Sequence, residues 1–294
     1  MNSVCALVVT YHPWPEVAAH VATIRSQVDQ VVVIDNGSGH DGLAVLATLE
    51  GRPGIEVIRN PENRGIAAAL NQGVAWALAR DFSWVATFDQ DSELPADFIA
   101  SLLVAHAALP ERERVAVLTP LYRDAEGGTL YSAAGPVDRS APAVVDVSVA
   151  ATSGNLVSAA ALRAVGGFRD DFFIDAVDHE FCLRLRRQGW RVLEVRNVIL
   201  DHRQGRWERR PLLWRTVGVN DYPAVRRYYQ ARNRLLVYFE FAFFDPAWVA
   251  YDAREYTSDL IRLILVGSDR GPKFRAIAYG FGHALLDRLG PWRP

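Results

Sequence analysis

Short apolar runs and stretches of helical period alternate along the first part of the chain. Residues 4–11 (VCALVVTY), 30–38 (QVVVIDNGS), 55–60 (IEVIRN) and 84–88 are of strand length, apolar and followed by turn-forming or polar residues. Between them, residues 15–27, 41–50, 64–80 and 95–108 read as helices. In the third of these, Ile66, Leu70, Val74 and Ala77 fall on one face. Strand alternating with helix predicts a parallel sheet with right-handed crossovers. Ligands of such sheets bind beyond the carboxyl ends of the strands, and Thr10, Asp35, Asn60 and Asp89 each stand at such an end.

The pattern changes after residue 114. Residues 115–158 carry short β-like pieces (115–118 and 143–151) among Gly/Pro turns. A helix returns at 159–165, followed by the acidic loop GGFRDDFFIDAVDHE and a helix over 178–188 closed by Gly189. Residues 190–200 (WRVLEVRNVIL) predict a strand, with His202 just beyond it. From 223 onward three helical segments, 223–241, 246–266 and 272–288, predict an appendage. The expected division is a main α/β domain over 1–222 and a helical extension over 223–294.

Composition narrows the classes. Half of the 294 residues are hydrophobic and 22% are charged, enough for a substantial core. A net charge of −2 gives no footprint for nucleic acid. Cys5 and Cys182 are far apart in apolar settings, which suits thiols in a reducing compartment. The opening run lacks a basic flank and a cleavage site, and no run reaches the ~18 apolar residues of a membrane span. A cytoplasmic protein, peripheral to the inner face of the cell membrane, is the expectation.

The stretch WVATFDQDSELP ends an apolar run on two aspartates. If the strand continued, Asp89 and Asp91 would share one side and Gln90 would take the other. Like charges held together favour a cation between them. The simpler reading is a strand running into a helix capped by Asp91 or Ser92. GSGHDG (37–42) matches G-x-G-x-x-G, but it follows the second strand and lacks the acidic partner, so a loose turn after Asp35 fits better. A D-x-D phosphohydrolase is an alternative, although Glu93 stands where Thr or Val is usual.

More residues are explained at once by a resemblance. Asp35, Asn63 and Gly65 before a helix, the D-Q-D, the FFIDAVDHEFCLRLR block and LDH occur in order with VVTY, NRGIAAALNQG, TFDQDS, SGNLVS and RRYYQARNRLLV. Together they resemble the rhamnosyltransferase branch of the family 2 inverting glycosyltransferases, over roughly residues 4 to 235. The resemblance implies an α/β GT-A nucleotide-sugar-binding sandwich with a mixed central sheet and a helical C-terminal extension. It implies dTDP-L-rhamnose as donor and Mg²⁺ or Mn²⁺ as cofactor. Asp91 and His202 would be metal ligands, and Asp89 would reach ribose or sugar hydroxyls. Asp35 would accept from the base's ring N–H, with Thr10 and Tyr11 flanking the base and Asn63 and Gly65 among the donor contacts. A turn role for Asp35 and a plain surface role for His202 remain open on local sequence.

Direct displacement needs a base for the acceptor hydroxyl. Asp178 opens a helix whose dipole favours its ionised form, a position that also suits an N-cap. Asp175 and Glu180 compete for the role: Glu180 faces away from Asp178 on the helix, and Asp175 suits the acceptor. The chain departs from the broader family at Val177, where many members carry an acid.

Between residues 203 and 234 arginines outnumber acids and are interleaved with Trp207, Trp214, Tyr228 and Tyr229. Beyond them LLVYFEFAFFDPAWVAY is apolar but interrupted by Glu240, Asp245 and Pro246. This combination suits an anionic membrane surface presenting a lipid-linked acceptor, with packing or a homodimer as the competing explanation. Arg232 could serve donor or acceptor phosphates. The acceptor class is an envelope glycan or glycolipid, of the O-antigen, lipopolysaccharide or rhamnolipid kind. A UDP-sugar transferase and a non-catalytic sugar-nucleotide binder are the remaining alternatives.

Overall fold

The computed structural model describes residues 2–124, 128–133, 135–137, 140, 142–202, 207–212 and 214–292, apart from the side chains of His202 and Trp207. The chain forms two compact units: Met1–Asp170 with Asp178–Arg203, and Asp171–Val177 with Gln204–Pro294.

In the first unit, β1 (Val4–Thr10), β2 (Gln30–Asp35), β3 (Ile55–Arg59) and β4 (Trp84–Asp89) alternate with α1 (Val17–Arg25), α2 (His40–Ala47) and α3 (Ile66–Leu78). α4 (Phe98–Ala107) leads into β5 (Val115–Asp124), β6 (Leu130–Tyr131), β7 (Val144–Asp146) and β8 (Asn155–Ser158). α5 (Ala159–Val165), α6 (Val177–Arg187) and β9 (Arg191–His202) follow. Among the described residues nine strands form one sheet in the order β3-β2-β1-β4-β8-β5-β9-β7, with β6 on β5. β1 to β4 pair in parallel, β8 runs antiparallel to both β4 and β5, and β9 is parallel to β5. The sheet is therefore mixed, as expected.

Burial explains the sequence pattern. β1, β2 and β4 are covered on both faces, so they read as unbroken apolar runs; edge strand β3 keeps Glu56 and Arg59 exposed. α3 buries Leu70, Val74 and Ala77, with Ile66 only partly covered. Gly73 lets this helix sit close to the sheet, because a Cβ there would come within 2.7 Å of Leu7. Pro120 lies inside β5 at a register shift against β9, where a missing N–H breaks the ladder least.

Three expectations change. β4 stops at Asp89, and α4 starts at Phe98 behind a left-handed Asp97, so neither Asp91 nor Ser92 caps it. β9 runs on through His202, which places the LDH tripeptide within the strand. In the second unit β10 (Trp207–Leu212) and β11 (Arg215–Asn220) form an antiparallel hairpin that the hydrophobic pattern did not announce.

The second unit continues with α7 (Ala224–Phe241), α8 (Pro246–Val266) and α9 (Arg270–Leu285). Ala231, Tyr256, Leu263 and Ile277 pack as one apolar cluster, and Tyr228, Tyr229 and Ala276 as another beside Trp292. Pro272 falls in the first turn of α9, where its missing N–H costs nothing. No helix among the described residues is long and apolar enough to cross a membrane.

Candidate active site

Strand order reverses at β1, with β2 on one side and β4 on the other, which opens a crevice at their carboxyl ends. Gln90 straps that crevice. Its side chain accepts from the Tyr11 N–H at 3.0 Å, and its carbonyl lies 3.0 Å from His20 Nδ1. Thr10 is fully buried, and its hydroxyl has no partner among the described residues. Tyr11 is half-exposed beside the His12 ring, at 4.2 Å between centroids, and Trp14 is exposed nearby in sequence.

Asp35 is buried at the end of β2 and accepts from the Ser38 hydroxyl and, at 3.2 Å, from the Ser38 N–H. The turn role is therefore realised. The turn is not loose: Gly37 has φ +86°, and a Cβ there would lie 2.5 Å from the Glu62 carbonyl carbon. Asn36 explains this closeness. Its amide donates at 3.1 Å to Asn63 Oδ1 and to the Gly65 carbonyl, and its oxygen accepts from the Arg64 N–H at 3.0 Å. Asn63 also accepts from the Gly65 N–H at 2.9 Å, while Asn60 and Gln72 exchange two 2.8 Å bonds. Asn63 and Gly65 are thus locked to the end of β2.

Beyond Asp89 the chain turns, with the Ser92 N–H donating to the Asp89 carbonyl at 3.2 Å. Strand alternation ends before Asp91, so the argument that placed both carboxylates on one side loses its premise. What holds the loop is Ser153: its hydroxyl accepts from the Asp89 N–H at 3.2 Å and lies 2.7 Å from the Ser92 hydroxyl. Asp91 lines a cleft of about 390 Å³ with Trp14, Glu16, His20 and Glu93. A backbone bridge pairs Glu93 with Asp201, which brings the D-Q-D loop beside the end of β9. Asp201 is held by Arg123 through bonds of 2.5 and 2.7 Å, and these keep its carboxyl below the ordinary range. The His202 side chain, the expected second metal ligand, lies outside the described residues. Among the described residues no three His, Cys, Asp or Glu groups converge as a metal cage.

Asp178 lies in the first turn of α6 and accepts from the His179 N–H at 2.9 Å. Glu180 is buried and bound by Arg184 at 2.6 and 3.0 Å; Arg184 also donates to the Val165 and Gly167 carbonyls. With its carboxylate so engaged, Glu180 tethers its helix and is poorly placed to receive a proton. In the second unit Phe173, Asp175 and Ala176 all have positive φ, a strained path for side chains of this kind. Asn233 stabilises it, donating at 2.8–2.9 Å to the carbonyls of Phe172, Ile174 and Asp175. Asp175 pairs with Arg226 at 3.2 Å.

Arg232 departs from its expected role. It is fully buried, and its guanidinium donates to the carbonyls of Gly290 (2.7 Å), Asp171 (2.7 Å) and Phe172 (3.2 Å) and to Asn233 (2.9 Å). Four of the five N–H groups of an Arg are thereby used, so this arrangement makes it a backbone clasp instead of a phosphate ligand. Sequence reasoning did not single out Asn36, Gln90, Ser153 or Asn233. Ser153 and Asn233 do fall within or beside the quoted strings SGNLVS and RRYYQARNRLLV, but nothing in their spacing announces their partners.

Residues 5–134 match the family model described as glycosyl transferase family 2. Over 250 residues, 81% of this chain and 80% of the relative, the chain is 28% identical to the dTDP-rhamnosyl transferase RfbF of Shigella flexneri. It is 26% identical over 233 residues, 66% of this chain and 74% of the relative, to an N-acetylglucosaminyl-diphospho-decaprenol L-rhamnosyltransferase of Mycobacterium tuberculosis. Among solved structures, GalNAc-T7 with UDP, GalNAc and Mn²⁺ superposes with a TM-score of 0.58 at 14% identity, covering 69% of this chain and 44% of that one. The mannosyltransferase PcManGT of Pyrobaculum calidifontis, in complex with GDP-Man and Mn²⁺, gives 0.53 at 15% identity, covering 97% and 87%. The shared architecture is the GT-A fold.

Proposed function

We propose that this chain, a member of glycosyltransferase family 2, transfers L-rhamnose from dTDP-L-rhamnose to a hydroxyl of a bacterial envelope glycan or glycolipid, with inversion. The similarity to the Shigella flexneri protein, which extends over four-fifths of both chains, carries this reading. The crevice at β1 and β4 supports it. Tyr11 offers an exposed ring for a base, the Thr10 hydroxyl is a buried polar group without a partner among the described residues, and Asp35, Asn63 and Gly65 are held in place by hydrogen bonds at the end of the neighbouring strand β2. Asp89 is assigned to the ribose or sugar hydroxyls.

The oxygen donors of the D-Q-D loop suit a hard cation better than a soft one. A bound Mg²⁺ or Mn²⁺ would supply positive charge to the departing diphosphate. Asp91 would hold it, with His202 as the second ligand that the resemblance implies. Asp178 takes the proton from the acceptor oxygen as that oxygen displaces the diphosphate from the anomeric carbon, and Asp175 positions the acceptor. Exposed Phe239, Phe243, Ile261, Ile264 and Leu265, together with Trp214 between exposed arginines on the β10–β11 hairpin, support docking on anionic lipid headgroups at the inner membrane face.

The donor assignment is tested by thermal stabilisation with dTDP-L-rhamnose, UDP-glucose and UDP-N-acetylglucosamine in the presence of Mn²⁺. The largest shift should come from dTDP-L-rhamnose; a larger one with a UDP-sugar would reassign the donor. Co-sedimentation with anionic and neutral liposomes tests the membrane reading. Negligible binding to both, together with a dimer in solution, would assign the apolar surface to a second copy of the chain.

A further inference from the structure

Beyond α9 the chain returns to α7 and meets the segment that carries Asp175, all within the second unit. Gly290 and Trp292 make the contact. Gly290 donates its N–H to the Asp171 carbonyl at 3.0 Å, and its own carbonyl accepts from Arg232 at 2.7 Å. Trp292 lays its ring on Tyr228, at 4.5 Å between centroids and 10° between planes. Its N–H donates to the Tyr229 hydroxyl at 2.7 Å. The Tyr229 ring stacks in turn on Phe173, at 5.1 Å and 13°.

Arg232 links these contacts to residues 171–177. Its guanidinium is fully buried, and its bonds go to neutral oxygens: the carbonyls of Gly290, Asp171 and Phe172 and the Asn233 amide. A buried charge is tolerated only while its hydrogen bonds are met. Freeing Gly290 would orphan one donor and loosen the two bonds to the segment. The segment itself is strained, with Phe173, Asp175 and Ala176 at φ +66°, +66° and +57°. Such a path persists only where its surroundings over-determine it. Asn233 supplies part of that restraint, and Gly290 and Trp292 supply the remainder from a distant stretch of sequence.

We propose that Gly290 and Trp292 are positioning residues for the transfer. Acting through Arg232 and Tyr229, they hold the 171–177 backbone, and with it Asp175, in the conformation that meets the acceptor. Covering apolar surface would need the Trp292 ring alone. The Gly290 bonds go instead to the segment and to the arginine that binds it. This assignment rests on the function proposed above only in giving Asp175 the acceptor; the restraint on the segment is independent of it.

Hydrogen exchange on the full chain, read by mass spectrometry, tests the restraint. In Trp292→Ala the amides of 171–177 should exchange about two- to tenfold faster, the worth of one stacked aromatic pair, while those of β1 keep parental rates. Trp292→Phe keeps a ring on Tyr228 and should restore slow exchange. Tyr229→Phe removes only the hydroxyl and should accelerate the same amides by about three- to tenfold. Turnover is read as dTDP release from dTDP-L-rhamnose with water as acceptor. Trp292→Ala should lower kcat and leave the donor KM unchanged. The double variant with Asp175→Asn should be no slower than Asp175→Asn alone, because both changes act on one carboxylate. The proposal is overturned if exchange over 171–177 is parental in both Trp292→Ala and Tyr229→Phe, or if the double variant loses the full Trp292→Ala factor beyond Asp175→Asn. Faster exchange in a chain whose parent releases no dTDP upholds the restraint and overturns the donor assignment instead.

Discussion

Asp91 and Asp178 are assigned different tasks, and single substitutions separate them. Asp91→Asn keeps the shape of the D-Q-D turn while removing a formal charge, so the metal-dependent part of dTDP-L-rhamnose affinity should disappear. Calorimetry with and without a chelator reads this directly, and full activity in excess chelator would refute metal dependence. Asp178→Asn should leave donor affinity intact and lower turnover by about 10²–10⁴, the usual contribution of a positioned base. If single-turnover rates instead collapse for Asp175→Asn and stay normal for Asp178→Asn, the two carboxylates exchange roles. Glu180→Gln makes a useful contrast. Because Arg184 binds this buried carboxylate, its loss should appear in denaturant midpoint more than in the pH profile.

At the scale of elements, the loops are held by side chains far away in sequence. Ser153, just before β8, ties both ends of the Asp89–Ser92 turn, and Asn233 on α7 donates to three carbonyls of the strained 171–177 segment. Asn233→Leu leaves three carbonyls without that donor in a path of positive φ, so a destabilisation of about 3 kcal/mol is expected. Urea titration provides the measurement. An unchanged midpoint would mean that Arg232, which donates to the Asp171 and Phe172 carbonyls, suffices as the clasp. Helices and parallel strands were legible because their apolar periodicity records burial. The β10–β11 hairpin was not, since its Arg-, Glu- and Pro-containing sequence (WERRPL) leaves Glu208 and Arg209 exposed and offers no alternating apolar face.

For the molecule as a whole, the chain's single lysine marks a pH-dependent staple in the second unit. Lys273, almost fully buried, bonds Asp221, which also accepts from Ser268 at 2.5 Å and pairs with Arg210 at 2.7 Å. Burial alone would raise the Asp221 carboxyl, but the bonds from Lys273 and Ser268 and the charges of Lys273 and Arg210 outweigh it and hold the group at about 2. A carboxyl lowered on folding stabilises the native state above its unfolded value of 3.8, and that stabilisation is lost as pH falls through about 2. Asp221→Asn should therefore cost about 3 kcal/mol at neutral pH, because Lys273 is left buried and uncompensated. In urea titrations the gap between parent and variant should narrow as pH drops from about 4 towards 2. A gap independent of pH across that window would mean that the carboxylate charge is not what stabilises the staple.

By itself the sequence determined the class of fold, the positions of the parallel strands and the residues at their carboxyl ends, because those features follow from local periodicity and from motifs a few residues long. Its quoted strings also carried the resemblance to the family whose model matches residues 5–134. Only the tertiary structure decided which polar groups are already engaged. Asp35 is bonded within its own turn, Glu180 is buried against Arg184, and Arg232 is committed to backbone carbonyls up to 61 residues away in sequence. A side chain's type states what it can bond, but its availability depends on partners brought to it by packing, and those partners lie at sequence separations that no local pattern records.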